Sequence, residues 1–409
     1  MRIGVVGLGY VGIVTAAVLA ERGNEIIGVD VDGNKVGMLE KGTAPIHEPG
    51  LGELISRNSN RNRFSTDYGV LKDAEIIFIS VPTPTSNGNA DMSYVMSAVR
   101  SASNANGNAI IIVKSTTLPG TAAKIRSELG IEVVTNPEFI SEGTAVRDTE
   151  KPDRIIIGSR SRKAADAVES IWSFTGAETV VTSNENAELI KYASNTFLAT
   201  KISFVNELAN LCEKLPNTDI DVISRGMGLD KRISPYFLKA GMGFGGSCFP
   251  KDTRALASFA RSVGETTSIV EAAIEVNRKR IDRVVGHIKD SCGNGIGSAR
   301  IGVLGLAFKK DTDDIRESQA INLIGRLKAQ AGSIYAYDPV VKHGIDGVNM
   351  CATKEECIEK SDVVVIATDW DEFKDIAVDE SKTVIDCKRI LDPNRYKRFK
   401  GVGIGTGDK

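Results

Sequence analysis

The sequence of 409 residues has little of what marks several large protein classes. Its formal net charge is only −2, whereas proteins that bind nucleic acid usually carry a basic excess or stripe. No apolar run approaches the roughly 20 residues needed to span a bilayer. The first residues, Met1–Val6, enter a strand pattern at once, so we expect no signal peptide and no membrane partner.

Cysteine is also scarce. The six cysteines are scattered and form no closely spaced pair of the kind that binds zinc. A chain of this length does not need disulfides for stability. We therefore expect no metal site and a reduced, cytoplasmic compartment. The remaining composition, with 42% hydrophobic and 25% charged residues, is ordinary for a globular protein of two or three domains.

The N-terminal 30 residues have the pattern of a dinucleotide-binding unit. The short apolar run Arg2–Val6 leads into Gly7-Leu8-Gly9-Tyr10-Val11-Gly12, and a helix is expected from Val14 to Arg22. In such a unit the glycines allow a tight turn and close approach to a pyrophosphate at the helix N-terminus. A second apolar strand ends at Asp30, where an acid can accept hydrogen bonds from a ribose diol. The acid favours NAD over NADP, and a purely structural glycine turn is the alternative.

Alternating strands and helices continue to about residue 182. Polar residues follow the expected strands at Thr83, Thr116, Thr117, Glu138 and Glu142. In open α/β sheets ligands bind beyond the carboxyl ends of the strands, so the shared placement of these residues suggests a site. Each of them alone is more simply explained as a loop cap or turn former. Residues 154–158 and 179–182 are expected to complete the sheet.

The strand pattern then gives way to helices. A long helix is expected from Asn186 to about Lys214, with Lys191 and Asn195 a turn apart on one face. That face is either solvated or part of a site. A second long helix is expected from Ser268 to Lys289. The apolar faces of this helical region are broad enough for a dimer interface.

Between these helices lies an unusual stretch, Gly241–Asp252, in which Cys248 follows a run of glycines. Glycine lets the backbone pass close to a ligand. Lys251 could favour the reactive thiolate, and Asp252 could transfer a proton. The alternative is a glycine-rich turn that holds a buried, inert cysteine.

The last third repeats the strand–helix rhythm from Arg300 onward, after a segment, Cys292–Gly297, that we expect to be a flexible linker. Loops at the expected strand ends carry Lys309, Arg316 and Arg389, which suit an anionic nucleotide or are simply solvated. The sequence therefore predicts an α/β protein with two Rossmann-like domains, each with a parallel sheet, joined by a long central helical connector. The predicted domains are residues 1–185, which bind NAD, 186–297, which dimerise and carry Cys248, and 298–409, whose loops suit an anionic nucleotide.

Taken together, these motifs resemble the UDP-glucose 6-dehydrogenases of the UDP-glucose/GDP-mannose dehydrogenase family. The resemblance covers nearly the whole chain and implies that residues 298–409 are the domain that binds the UDP-sugar. The matching segments are Gly7–Gly12, Ser80–Thr85, Lys114–Thr117, Asn136–Gly143, Lys191 with Asn195, Gly243–Asp252 and Phe308–Ser318. The run from Gly243 to Asp252 is highly specific, because relatives that oxidise N-acetylated UDP-sugars differ there.

The resemblance implies oxidation of UDP-glucose at C6 to UDP-glucuronate with two NAD+ and one water. Cys248 would hold the C6 carbon first as a thiohemiacetal and then as a thioester. Lys191 would stabilise the oxyanion, and Asn195 would orient a water or the same oxygen. Asp252 and Glu138 are candidate proton-transfer groups, Glu138 for thioester hydrolysis. Thr117 resembles the residue that helps to hold the catalytic water.

The resemblance also implies binding residues. The expected NAD contacts are Gly7, Gly9, Gly12, Asp30, Lys35, Thr83, Thr117, Glu142, Lys251 and Arg316. The expected substrate contacts are Phe139, Lys191, Asn195, Tyr236, Phe237, Lys239, Phe244, Gly245, Phe308, Lys309 and Arg389. Arg232 would reach the sugar from the neighbouring subunit, which makes a homodimer through the central helical region the expected assembly.

One departure concerns Asp386-Cys387-Lys388-Arg389, where the family usually has Asp-Gly-Arg followed by Arg or Asn. The alternatives to a UDP-glucose enzyme are a dehydrogenase for GDP-mannose or another nucleotide sugar, an NAD-binding regulator without activity, and a thiol acyltransferase or aldehyde dehydrogenase.

Overall fold

The structure is a computed structural model that describes residues 1–86 and 88–405. It divides into two compact units, Met1–Ser194 and Asn195–Lys409, and each contains a parallel α/β sheet. The predicted fold class is confirmed. Among the residues described here, no helix is both long and apolar enough to cross a membrane.

The first unit is built on one sheet of eight strands. Together with the short strands β5 and β6, which lie outside that sheet, the strands of the unit are β1 Arg2–Val6, β2 Glu25–Val29, β3 Asn62–Ser65, β4 Ile76–Ile79, β5 Thr85–Ser86, β6 Asn89–Ala90, β7 Ile110–Val113, β8 Val133–Thr135, β9 Arg154–Gly158 and β10 Glu178–Thr182. Its helices are α1 Tyr10–Glu21, α2 Gly33–Glu40, α3 Leu51–Arg57, α4 Ser93–Ala105, α5 Thr121–Leu129, α6 Ala145–Glu150 and α7 Arg162–Trp172. The main sheet has the order β10-β9-β8-β7-β4-β1-β2-β3, and β5 pairs with β6 separately.

This sheet is parallel except between β8 and β9, and separate apolar clusters pack against it. The central strand β4 is buried along its whole length, as expected of a strand covered on both faces. The strands predicted at residues 154–158 and 179–182 are confirmed as β9 and β10. Because β1, β4 and β7 are parallel neighbours, their carboxyl ends share one edge of the sheet.

The second unit contains a helical region and a smaller sheet. The helix α8, Asn184–Cys212, begins in the first unit and continues into the second. The other helices are α9 Ile220–Gly228, α10 Phe249–Ser262, α11 Ser268–Cys292, α12 Gln319–Leu327 and α13 Lys354–Glu359. The strands are β11 Arg300–Leu304, β12 Ser333–Tyr337, β13 Asn349–Met350, β14 Val363–Ile366, β15 Thr383–Asp386 and β16 Phe399–Gly401. They form a parallel sheet in the order β13-β12-β11-β14-β15-β16.

Two helix boundaries differ from the sequence prediction. The helix α1 begins at Tyr10 rather than Val14, because the glycine turn leads directly into the helix and Gly9 takes the N-cap position. The helix α10 begins at Phe249, within the glycine-rich stretch Gly241–Asp252 for which no helix was predicted. Pro250 lies in its first turn, where the missing backbone N–H is tolerated.

The prediction of a flexible linker at Cys292–Gly297 is wrong. Residues Gly293–Ser298 form a 3-10 helix, and the carbonyl of Ile296 accepts a hydrogen bond from the backbone of Gly332. This contact ties the segment to the turn before β12, so the glycines serve a tight turn instead of a loose connection.

Candidate active site

The glycine turn after β1 has two packed glycines and one open one. Gly7 has a φ of +86°, and its N–H donates to the carbonyl of Val29 over 2.8 Å. A Cβ on Gly12 would lie 1.8 Å from the oxygen of Gly7, so only glycine fits there. In contrast, a Cβ on Gly9 would meet nothing within 4 Å. Gly9 therefore leaves open space at the N-terminus of α1, where a pyrophosphate can approach.

Asp30 lies at the end of the neighbouring strand β2. Its carboxylate accepts the N–H of Leu8 at 2.7 Å and that of Asp32 at 3.0 Å. Lys35 forms an ion pair with it at 3.3 Å. The structure thus brings the predicted cofactor residues Asp30 and Lys35 together beside the turn. The open Gly9 and this acid fit the ribose and phosphates of NAD.

Glu48 belongs to the same region but was not predicted. It is buried, and it accepts the N–H groups of Gly143 at 2.6 Å and of Ala145 at 2.7 Å. The hydroxyl of Tyr10 donates to the same carboxylate. Glu48 therefore fixes the loop that contains Glu142, a predicted cofactor contact. Nothing in a single glutamate before Pro49 could have indicated partners about 95 residues away.

Glu138 and Lys191 form a buried ion pair within the first unit. The Nζ of Lys191 lies 2.8 Å from the Glu138 carboxylate and 2.7 Å from the Glu138 carbonyl oxygen. Burial alone would raise the pKa of Glu138, but the attraction of Lys191 outweighs it and lowers the pKa below its usual value. Phe139, a predicted substrate contact, lies under the guanidinium of Arg154 at 3.9 Å. Two predicted catalytic groups are therefore in direct contact.

A second buried lysine was given no role by the sequence. The Nζ of Lys114 lies 3.4 Å from the side-chain oxygen of Asn136 and 4.7 Å from the centre of the Trp172 ring. Burial lowers the pKa of Lys114 to about 8, and the charge of Lys191 acts in the same direction. The position of Lys114, directly after β7, was the available signal. It adds positive potential near Glu138.

Thr117 is held by another residue that was not predicted, Glu188. The Thr117 hydroxyl donates to Glu188 over 3.4 Å, and the backbone N–H groups of Gly120 and Ala122 donate at 2.7 and 2.9 Å. Burial raises the pKa of Glu188 to about 7. Because Gly120 supplies no side-chain cap, Glu188 satisfies the first N–H groups of α5 from a distant part of the chain. It thereby fixes the loop that carries Thr117.

Cys248 occupies the N-cap of α10 in the second unit and is half-buried. Its Sγ lies 3.7 Å from the Ser247 hydroxyl. One turn later, Asp252 is fully buried and accepts the side-chain N–H of Asn195 at 2.6 Å and the Nζ of Lys251 at 2.5 Å. A helix N-terminus stabilises an anion, which suits a thiolate at this position. Lys251, expected to contact the cofactor, forms an ion pair with Asp252 in this structure.

The glycine loop before Cys248 is clamped by Asn277 of α11. Its amide accepts the N–H of Phe244 at 2.7 Å and donates to the Phe244 carbonyl at 3.0 Å. Gly243 has a φ of +105°, and a Cβ there would lie 2.3 Å from the Asn277 oxygen. A Cβ on Gly245 would lie 2.4 Å from the oxygen of Glu317. The glycines of the motif are therefore required by close packing as well as by any ligand.

The remaining predicted residues are dispersed. Phe237 and Lys239 line a cavity of about 190 Å³. Thr83 is buried after β4, Tyr236 is exposed, and the Phe308 ring packs against Gly246 with Lys309 over it at 5.7 Å. Three arginines form ion pairs with carboxylates, namely Arg232 with Asp230, Arg316 with Asp314, and Arg389 with Asp219 and Asp221. Their roles as ligand contacts stay predictions.

Three models of one family match the chain in succession. The NAD-binding domain of the UDP-glucose/GDP-mannose dehydrogenase family matches residues 1–175, the central domain matches 185–279, and the UDP-binding domain matches 302–393. The chain belongs to this family. It is therefore an NAD-dependent nucleotide-sugar dehydrogenase, and NAD is its cofactor. The observed glycine turn and Asp30 agree with that assignment.

Individual relatives cover nearly the whole chain. A UDP-glucose 6-dehydrogenase of Bacillus subtilis (strain 168) is 40% identical over 96% of this chain and 88% of its own length. The solved UDP-glucose dehydrogenase from Pyrobaculum islandicum is 36% identical and has a TM-score of 0.93, with 98% of each chain covered. A UDP-D-ManNAc dehydrogenase from Pyrococcus horikoshii is 28% identical, with a TM-score of 0.89 over 98% of this chain and 99% of that one. Structural similarity alone therefore does not distinguish the sugar.

Proposed function

We propose that this dehydrogenase oxidises UDP-glucose at C6 to UDP-glucuronate in two successive two-electron steps. The observation that carries the proposal is Cys248 at the N-cap of α10, with the buried Asp252 one turn away and held by Asn195. Bound NAD+ supplies the hydride acceptor for both oxidations. The sequence around Cys248 resembles the UDP-glucose enzymes more than the enzymes for N-acetylated sugars, which supports glucose as the sugar.

The thiol explains how an aldehyde can be oxidised further. An aldehyde cannot release its hydrogen as hydride directly, because an acylium cation would be left. The Cys248 thiolate therefore adds to the carbonyl carbon and forms a tetrahedral thiohemiacetal. Loss of hydride and the hydroxyl proton then leaves a thioester. Water adds to that carbonyl, the C–S bond breaks, and the thiol is released with the acid. The overall balance consumes one water and releases two hydrides and three protons.

Glu138 is suited to the hydrolytic step. Lys191 keeps its carboxylate ionised, so at neutral pH Glu138 is in the form that removes a proton from water. The ammonium of Lys191 is in turn available to stabilise negative charge at C6. We propose that Thr117, oriented by Glu188, positions that water. In the first step, oxidation of the alcohol, Asp252 serves as the proton acceptor, and Asn195 and Lys251 hold it in place.

The second copy of the chain is the proposed partner. Three large apolar side chains on α8 recur every seven residues and are 48–66% exposed, namely Phe197, Phe204 and Leu211. Such spacing gives one continuous apolar stripe, which a helix of a second subunit can cover. Arg232, 89% exposed, is the proposed contact with the neighbouring sugar site. Sedimentation velocity of Phe204→Glu is expected to show monomers, and an unchanged dimer would exclude this stripe as the interface.

The division of the chain at residues 185/186 and 297/298 remains our proposal for the domain limits, with α8 as the connection. A cytoplasmic location is also proposed. It is supported by the absence of disulfides among the described cysteines.

The function is tested by following NADH with a panel of UDP-glucose, UDP-galactose, GDP-mannose and UDP-N-acetyl sugars, each with NAD+ and NADP+. Two NADH per UDP-glucose are expected with NAD+. Cys248→Ser is expected to lose at least 100-fold in kcat, because a serine hydroxyl is a far weaker nucleophile than a thiolate. Cys351→Ser is the control, because Cys351 is also a half-buried free cysteine but lies directly after β13 and has no proposed role in the reaction. Turnover of GDP-mannose alone, or full activity of Cys248→Ser, would refute the proposal.

A further inference from the structure

Lys114 is a buried cation that has no role in the reaction proposed above. It directly follows β7, which runs parallel to β8 with Val113 beside Thr135. The backbone N–H of Asn136 donates to the carbonyl of Val113 at 2.9 Å. Lys114 and Asn136 therefore leave the sheet side by side, and Glu138 follows two residues later. The ammonium group lies at the same edge of the sheet as the proposed general base.

The ammonium group of Lys114 has few partners for its degree of burial. Its Nζ lies 3.4 Å from the side-chain oxygen of Asn136 and 4.7 Å from the centre of the Trp172 ring. The indole N–H of Trp172 donates to that oxygen at 3.1 Å, which fixes its direction. Within the part of the chain that the structure describes, no carboxylate forms an ion pair with Lys114. A lysine that serves stability alone is rarely buried without such a partner.

The unpaired charge of Lys114 matters because its charged neighbours neutralise each other. The Nζ of Lys191 lies 2.8 Å from the Glu138 carboxylate, and both side chains are buried. An oxyanion at C6 that approaches this pair is attracted by the ammonium and repelled by the carboxylate. The charge of Lys114 acts on both members of the pair. Two ammonium groups and one carboxylate leave a surplus of one positive charge, which one oxyanion can neutralise.

We propose that Lys114 is a positioning residue that supplies this surplus positive charge to the reaction. It acts through its two neighbours. Its charge holds Glu138 in the carboxylate form that activates water, and it leaves the attraction of Lys191 available to the oxyanion at C6. Little water screens a charge at a buried site, so the effect is strong. This inference rests on the proposed function and adds a group to the same site.

The burial of Lys114 also makes the surplus charge depend on pH. Burial lowers its pKa to about 8, while Glu138 opposes the change and Lys191 adds to it. The loop after β8 contributes Glu138, α8 contributes Lys191, and α7 contributes the uncharged ring of Trp172. At neutral pH Lys114 is therefore mostly protonated. Above about pH 8 the surplus charge is lost.

The competing explanation is that Lys114 only packs against Trp172 and supports Asn136. A methionine has a similar length and an apolar side chain, so under this explanation Lys114→Met would be fully active. The two explanations also differ in pH dependence. A packing role predicts the same pH profile with lysine or arginine at position 114, whereas a charge role predicts different profiles, because arginine stays protonated.

The test is a single turnover of UDP-glucose by excess enzyme, between about pH 6 and pH 10, in the wild-type protein, Lys114→Met and Lys114→Arg. NADH absorbance reports the two oxidations, and UDP-glucuronate released into quenched samples reports hydrolysis. Lys124→Met is the control, because Lys124 lies on α5, is 59% exposed and pairs with Glu128. At pH 7 we expect Lys114→Met to be about 10- to 100-fold slower in both signals, because a buried charge that stabilises an oxyanion is removed. Lys124→Met is expected to react at the wild-type rate.

The arginine variant separates charge from packing. We expect Lys114→Arg to recover most of the rate at pH 7. As the pH rises through about 8, the wild-type rate should fall relative to Lys114→Arg and approach that of Lys114→Met. A constant ratio of wild type to Lys114→Arg across this range would overturn the proposal, as would a wild-type rate in Lys114→Met. Thermal unfolding verifies that each variant is folded. If Lys114→Arg does not fold, the approach of the wild-type rate to that of Lys114→Met decides, and if Lys114→Met does not fold, the ratio to Lys114→Arg decides.

The outcomes also separate this inference from the proposed function. If the wild-type protein oxidises UDP-glucose and Lys114→Met does so equally fast at every pH, only the role of Lys114 fails. If the wild-type protein forms no NADH from UDP-glucose, the proposed function fails and the role of Lys114 fails with it.

Discussion

The two α/β sheets of this chain begin with the same backbone device. After the first strand of each sheet comes a glycine with positive φ, +86° at Gly7 and +97° at Gly305. Each donates its N–H over 2.8 Å to the last carbonyl of the next strand, that of Val29 or of Tyr337. Both domains therefore turn the chain at the carboxyl end of the first strand in the same way, with a glycine of positive φ that is hydrogen-bonded to the next strand.

The acids that follow the second strands diverge in their partners. Asp30 accepts the backbone N–H groups of Leu8 and Asp32 and forms an ion pair with Lys35. Asp338 accepts five N–H groups from the protein and is almost completely buried. These donors are the backbone N–H groups of Leu306, Ala307, Val340 and Val341 and the indole N–H of Trp370. The same side chain in the same place thus stabilises the fold in the second domain, whereas in the first domain it is our predicted contact for the cofactor ribose.

The chain after each glycine explains the divergence. In the first domain α1 starts at Tyr10, three residues after Gly7, so a helix N-terminus points at the turn. In the second domain α12 starts at Gln319, fourteen residues after Gly305. The intervening segment carries Phe308 and Lys309. The second domain therefore has no helix N-terminus directly after its glycine, and the loop in its place carries two of our predicted substrate contacts.

We expect the largest difference between the two domains when each of the two aspartates is replaced by asparagine. Asp338→Asn places an amide NH2 against backbone donors and should lower the free energy of unfolding by about 3 kcal/mol, because a buried group is left unsatisfied. Asp30→Asn disturbs only two backbone donors, so it should lose about 1 kcal/mol of stability but bind NAD+ about tenfold more weakly. Urea unfolding and calorimetric NAD+ titration measure both. Asp346→Asn, on the exposed surface of the second domain, is the control. Equal loss of stability in both variants would remove the distinction.

The next effect concerns the open glycine of the first domain. Gly9→Ala adds a methyl group where nothing lies within 4 Å, and the φ of −72° suits alanine. We expect thermal unfolding to be unchanged and NAD+ to bind about 100-fold more weakly, because the methyl group blocks the approach of the pyrophosphate. Gly12→Ala should instead lower the unfolding temperature, since its Cβ would meet the Gly7 oxygen. Normal NAD+ affinity of Gly9→Ala would show that the cofactor does not approach this turn.

Much of this architecture could be predicted from local patterns. The run Arg2–Val6, the glycine spacing and the acid at position 30 depend on residues close in sequence, and the structure places them as expected. The long helix α8 and the strands β11 and β12 follow from periodicity for the same reason. Helix starts at glycine or proline were missed, because those residues also mark turns.

The supporting residues of the site could not be predicted, because each acts on a distant part of the chain. Three hydrogen bonds join residues that are far apart in sequence. The bond between Glu188 and Thr117 spans 71 residues, that between Asn277 and Phe244 spans 33, and that between Glu48 and Gly143 spans 95. A glutamate or asparagine on a helix is more often a solvated residue. Only the tertiary fold shows that these side chains replace missing backbone partners.

The smallest effect compares two buried glutamates of opposite character. Glu188, in the first unit, accepts only uncharged donors, and burial raises its pKa to about 7. Glu213, in the second unit, is approached by Arg280, Arg283 and His287, which lower its pKa although burial opposes them. Because its pKa is raised, Glu188 in the folded protein stays protonated up to about pH 7, whereas in the unfolded chain it loses its proton from about pH 4.5 upward. The contribution of Glu188 is therefore present below that pH and lost as the pH rises to about 7. Glu213 contributes stability above about pH 4.5 and loses it in more acidic solution.

Replacing Glu188 should therefore flatten the pH dependence of stability in one window only. Between pH 4.5 and 7.5 the free energy of unfolding of the wild-type protein is expected to fall by about 2–3 kcal/mol relative to Glu188→Gln, since the amide does not titrate. Urea unfolding at intervals across this range measures the difference. Glu213→Gln is the matched comparison, and it should change the slope only below about pH 4.5. An identical slope for the wild-type protein and Glu188→Gln would mean that Glu188 is already ionised in the folded state, and that the N–H groups of Gly120 and Ala122 compensate its burial in full.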